Sequence, residues 1–120
     1  MPTPIKPEKS QPLTRAVFHI LLALADGERH GYAIMQEVAK NTDGQLEMGP
    51  GTLYGNIKRL LAKDLIEESD ERPDPELDDE RRRYYRLTTK GQNILVAEVR
   101  RMNDLVKVAR SKQLLRQSPT

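Results

Sequence analysis

Asn56, Lys58 and Arg59 are side chains that can read nucleic-acid bases. An Asn amide pairs bidentately with adenine, and a Lys or Arg pairs with guanine O6 and N7. All three lie in the run Pro50-Gly51-Thr52-Leu53-Tyr54-Gly55-Asn56-Ile57-Lys58-Arg59-Leu60-Leu61-Ala62-Lys63. Its apolar residues Leu53, Ile57, Leu60 and Leu61 recur at i, i+4, i+7 and i+8, which makes one stripe on a helix. The opposite side carries Thr52, Tyr54, Asn56, Lys58, Arg59 and Lys63 and no acid. A short helix with a buried stripe and such a face suits a DNA groove, although a surface helix also carries these residues for solubility. Thr52, Asn56 and Lys58 are the favoured base contacts. Arg59 lies nearer the flank, where it could instead pair with an acid, and Lys63, one turn further, reaches only phosphate.

Such a helix needs elements to hold it. The chain has 120 residues, which predicts one domain with a modest core. It has no Cys, which excludes disulfide frameworks and thiolate metal sites. Two isolated His without Cys make no metal set, and no cofactor is implied. No apolar run approaches the roughly 18 residues of a membrane span, and no secretory signal is visible, so the expectation is a cytoplasmic protein. The net charge of +2 conceals an asymmetry: residues 1–66 balance at +1, residues 67–80 at −8 and residues 81–120 at +9. The basic part can steer toward a polyanion, or it can be a solvated surface.

Residues 1–12 contain Pro2, Pro4, Pro7 and Pro12 and read as a flexible arm. Thr14 can cap a helix to about Asp26 with Val17, Ile20, Leu21 and Leu24 on its core face. A second helix should span His30 to Asn41 with Tyr32, Ile34, Met35 and Val38 inward. Leu46-Glu47-Met48 alternates as a very short strand. The basic helix follows, with Thr52 as its cap or Pro50 in its first turn. Leu65–Glu68 and Arg83–Thr88 read as a hairpin around an acidic loop that contains Pro73 and Pro75. This order gives a mainly α fold with a small β-hairpin: a winged helix-turn-helix domain over residues 13–88. Tyr54 could set its ring on a sugar or a thymine methyl, or pack under the wing. The last helix, about Lys90 to Leu115 within a segment 89–116, carries Leu95, Val99, Met102, Val106 and Ala109 at spacings of 4, 3, 4 and 3. That heptad seam predicts a two-fold partner helix, and contact with the first helix can coexist with it.

Four pieces together resemble the PadR-like transcriptional regulators. They are Val17–Leu24, His30-Gly31-Tyr32-Ala33-Ile34, Gly51-Thr52-Leu53-Tyr54 with Arg59-Leu60, and Arg83-Tyr84-Tyr85-Arg86-Leu87-Thr88-Thr89-Lys90-Gly91, which span about residues 13–95. Any one is weak; the set is specific. The resemblance implies dimeric winged-helix repressors of double-stranded DNA, often relieved by a small-molecule effector, with a single C-terminal dimerisation helix in the short members. The chain departs from the pattern in three places. Gly55 stands where Pro is common, Asp64 stands where Gly is usual at the helix end, and the wing loop is longer and more acidic.

Around the second helix's start, His30 and Tyr32 could meet a phosphate, since backbone N–H groups there favour an anion; Tyr32 could equally be core. His19 reads as a satisfied packing residue. Arg81, Arg82 and Arg83 could reach phosphates from the base of the returning strand, while Glu71, Asp74, Glu76, Asp78, Asp79 and Glu80 are repelled by them. Those acids could instead compete for the basic surface and lower non-specific affinity. An effector pocket would lie between the first and last helices near Phe18, Met102 and Val106, which ordinary packing also explains. The leading function is therefore a homodimeric repressor at a pseudo-palindromic operator; the alternative is a winged-helix assembly module without DNA binding. No nucleophile–base pair, phosphate-cradling Gly loop or carboxylate–His cluster supports an enzyme.

Overall fold

The computed structural model describes residues 12–69 and 83–115. In chain order the elements are α1 (Arg15–Ala23), β1 (Arg29–His30), α2 (Gly31–Asn41), α3 (Pro50–Ala62), β2 (Ile66–Glu68), β3 (Tyr84–Leu87) and α4 (Thr89–Ser111). The expected hairpin is present: β2 and β3 run antiparallel with Ile66 opposite Leu87 and Glu67 opposite Arg86. The fold is the expected mainly helical one, with a three-stranded antiparallel sheet of order β1-β3-β2.

One strand differs from expectation. Leu46–Met48 forms no strand, and the third strand is instead β1, paired with β3 through Arg29–Tyr85 and His30–Tyr84. The reason is that β3 lies centrally and both its edges are taken. Leu46–Met48 serves packing instead, with Met48 buried in the core. Two-residue β1 has no periodicity to betray it. It is placed by Arg29, whose guanidinium donates to the Ala23 carbonyl at 2.8 Å and pairs with Asp26 and Glu37 at 3.1 and 3.5 Å. One side chain thus ties the end of α1 to its turn and to α2.

Each helix starts where its sequence allows. Thr14 accepts from Val17 N at 3.2 Å to cap α1. His30 caps α2 through Nδ1, which accepts from Ala33 N at 3.1 Å. Gly49 precedes α3 with Pro50 in its first turn, so Thr52 is not the cap. At the other end of α3, Leu65 N donates to Leu60 O and Asp64 N to Leu61 O, both at 3.0 Å. This closes the helix in a Schellman turn with Asp64 at φ 64°, so Asp adopts the left-handed conformation that Gly takes more easily. A similar turn after Ser111, with Gln113 at φ 66°, ends α4 before the expected Leu115.

One core joins all four helices to the sheet, through Ile20, Leu21, Leu24, Ile34, Val38, Leu53, Ile57, Leu60, Leu65, Ile66, Tyr85 and Leu95. The start of α4 packs closely on the segment that leads into β2. Thr88 caps α4 by accepting from Gly91 N at 2.9 Å and donates to the Asp64 carbonyl at 2.7 Å. Lys90 Nζ donates to the Lys63 carbonyl at 3.2 Å, a cation on the carbonyl end of α3. Gly91 packs on the Leu65 backbone so closely that a Cβ there would strike the Leu65 carbonyl oxygen. Gly91→Ala is therefore expected to destabilise the domain by about 1–3 kcal/mol, the usual cost of overpacking, read as a lower urea midpoint at unchanged slope.

His19 departs from its expected role. Its ring meets Phe18 edge-on, but Nδ1 is buried with no hydrogen-bond partner among the described residues. Burial, aided by the Arg15 charge, lowers its pKa below the ordinary histidine value and favours the neutral ring.

Candidate nucleic-acid interface

The core grips α3 by Leu53, Ile57 and Leu60, all at most 2% exposed. Thr52, Lys58, Arg59 and Lys63 stand exposed on its other side, as the pattern required, and Gly55 is half-exposed with open space where a Cβ would sit. No acid lies on the helix.

Asn56 departs from that face. Only 7% exposed, it donates through Nδ2 to the Thr52 carbonyl at 2.9 Å, and its Oδ1 accepts from the Arg59 guanidinium at 3.1 Å. Its amide is committed within the protein, so the bidentate adenine contact expected of it is corrected. The signal was available in the spacing: Asn56 lies three residues after Leu53 and four before Leu60, which places it beside the buried stripe. Arg59, which could have paired with an acid, is held by this neutral amide.

Tyr54 is half-buried, and its phenol lies against Gly31, where an added Cβ would collide with it. It packs α3 on the start of α2, and so fixes how the two helices of the helix-turn-helix meet. Tyr32 is corrected in the opposite sense. It is 58% exposed rather than core. Two residues before buried Ile34, it lies about 200° away around the helix. His30 is half-buried, stacks edge-on against Tyr84 with centroids 5.4 Å apart, and spends Nδ1 on the α2 cap. It thereby occupies one of the backbone donors on which an anion was expected.

The wing strands are charged but paired. Arg83 meets Glu68 at 3.2 Å and Arg86 meets Glu67 at 2.8 Å, all four side chains at least 36% exposed. Exposed pairs of this kind contribute only about 0–1 kcal/mol, so a phosphate can displace the carboxylate from Arg83. Arg81, Arg82 and the six acids from Glu71 to Glu80 lie outside the described residues.

The expected seam on α4 is divided. Leu95 is 4% exposed and belongs to the protomer's own core, so it is not free for a partner. Val106 and Ala109 are half-buried. Val99, Met102, Leu105 and Val108 are 36–55% exposed; Val99 and Met102 stay in line with Val106 and Ala109, Leu105 lies at the edge of that line, and Val108 is half a turn round from Val99. The first half packs on α1 and β3. Among the described residues no cluster of His, Cys, Asp and Glu could hold a metal, and no helix is long and apolar enough to cross a membrane.

The model of the transcriptional regulator PadR-like family matches residues 20–97. The chain is 35% identical over 89 residues to the transcriptional regulator Rv3488 of Mycobacterium tuberculosis, covering 74% of this chain and 77% of that protein. It is 39% identical over 83 residues to a 37.1 kDa protein in transposon Tn4556 of Streptomyces fradiae; the match takes in 69% of this chain but spans only 21% of the relative. A PadR family transcription regulator from Clostridium difficile superposes with a TM-score of 0.62 at 26% identity, covering 83% of this chain and 99% of that one.

Proposed function

Since the chain belongs to the PadR-like family of transcriptional regulators, which bind DNA, we propose that it is a homodimeric repressor whose two α3 helices read the half-sites of a pseudo-palindromic operator. The observation that carries this reading is the exposed, acid-free face of α3 with Thr52, Lys58, Arg59 and Lys63. Thr52, Lys58 and Arg59 contact base edges, and Lys63 contacts phosphate. Tyr32 and Arg83 add backbone contacts at the flanks. Exposed Val99 and Met102, in line with half-buried Val106 and Ala109, support a two-fold partner helix. A two-fold dimer places its half-sites about one helical turn apart. Release by a small molecule would act where α1 meets α4, near Phe18 and Met102; packing against the core already accounts for Phe18.

The test is an electrophoretic mobility shift on the DNA upstream of the chain's own coding sequence. The wild type binds it. Lys58→Ala relaxes sequence preference, at a cost of about 1–3 kcal/mol on the preferred duplex, whereas Lys63→Ala weakens all duplexes alike and reduces the salt slope by about one. Uniform weakening by both contradicts these roles. No binding to any promoter DNA by an intact dimer supports the assembly module instead.

A further inference from the structure

Asn56 turns inward from the α3 face while still touching an outward side chain, Arg59. Its amide has a single chemically sensible orientation. Nδ2 donates to the Thr52 carbonyl, which leaves Oδ1 for the Arg59 guanidinium; the reverse orientation would set two donors against each other. The arginines with salt bridges elsewhere in the described residues have carboxylates: Arg29 pairs with Asp26 and Glu37, Arg83 with Glu68, Arg86 with Glu67 and Arg101 with Glu98. Arg59 has a neutral amide. A carboxylate would fix the side chain and cancel its charge, whereas an amide oxygen fixes it and leaves the charge in place.

We propose that Asn56 is the positioning residue for DNA recognition by this chain, holding Arg59 in place and charged on the α3 face before DNA arrives. The inference rests on α3 being the reading helix. Thr52, Asn56, Arg59 and Lys63 follow one another at spacings of four, three and four, so they form one ridge of the helix. Asn56 anchors that ridge to the buried side. One guanidinium nitrogen is used for the anchor, and the remaining N–H donors point to a guanine edge or a phosphate. Ordering Arg59 in the free protein removes that cost from binding, and the gain appears only on a sequence that offers Arg59 its acceptor.

The experiment uses the full chain with two probes: a duplex enriched by the wild type from a random library, and an unselected random duplex. Asn56→Leu weakens the enriched duplex by about tenfold, within the range of side chains coupled in one hydrogen-bond network, and leaves the random duplex unchanged. In the Arg59→Ala background, Asn56→Leu has no further effect. Asn56→Asp keeps an acceptor for Arg59, gives up the donor to the Thr52 carbonyl and cancels the charge, so it weakens both duplexes and lowers the salt slope by about one per protomer. Equal loss on both duplexes from Asn56→Leu, or the same loss with and without Arg59, overturns the proposal. If Asn56→Leu does not fold, a wild-type salt slope in Asn56→Asp overturns it. A wild type that binds no duplex overturns the reading of α3 as well, which separates the two failures.

Discussion

The chain carrying both Met102→Glu and Leu105→Glu is expected to be monomeric and to lose at least a hundredfold in affinity for its operator. Met102 is 36% and Leu105 55% exposed on a single protomer, Met102 in line with Val99 and Val106 and Leu105 beside it next to Ala109. Fully burying an apolar side chain of this size is worth about 1.5–3 kcal/mol, and a two-fold axis counts each residue twice. Two glutamates per protomer would instead bring four carboxylates into the seam, where desolvation and mutual repulsion both oppose association. Loss of the dimer removes the second α3 helix, and with it one of two linked half-site contacts. The fold should survive, because neither residue belongs to the protomer core. Sedimentation velocity and the mobility shift check the two halves of this expectation. A variant that stays dimeric contradicts the seam, and a monomer that keeps operator affinity contradicts the need for two helices.

Replacing Glu71, Asp74, Glu76, Asp78, Asp79 and Glu80 by Ser or Gln is expected to tighten binding to random-sequence DNA by on the order of tenfold at low salt, with less effect at physiological salt. The segment 67–80 balances at −8, the densest charge in the chain. Its first two acids already show the sign of the effect: Glu67 and Glu68 neutralise Arg86 and Arg83 across the hairpin. Six further acids joined to the same strands repel a phosphate backbone whatever its sequence. Their removal should therefore help random DNA at least as much as the operator and narrow the ratio between the two. Fluorescence anisotropy with both duplexes across a salt series measures this. Unchanged random-duplex affinity contradicts it.

Period and punctuation made most of the fold legible. Leu53, Ile57 and Leu60 announced α3, Thr14 announced the cap of α1, and the strand types around Tyr85 announced the hairpin. Two-residue β1 was invisible because it exists only through its pairing with β3. Gly91 was legible as part of a motif but not in its role, since close approach to the Leu65 backbone is a tertiary fact. In the candidate site, residue type misled where angle would have served. Asn56 looked like a base reader by its chemistry, yet its position beside Leu53 and Leu60 put it on the buried side. Tyr32 looked apolar enough for the core, yet its angle from Ile34 put it in solvent. The hold of Asn56 on Arg59 needs side-chain conformations that no pattern encodes.

On the proposed function, two copies of α3 related by a two-fold axis read DNA sequence. Selection of binding duplexes from a random library by the full-length protein, followed by sequencing, tests it most directly. The expected result is an enriched pseudo-palindrome with half-sites about one helical turn apart, its sequence preference lost in a chain carrying Thr52→Ala, Lys58→Ala and Arg59→Ala. Enrichment without two-fold symmetry, or the same motif from wild type and triple variant, would contradict it.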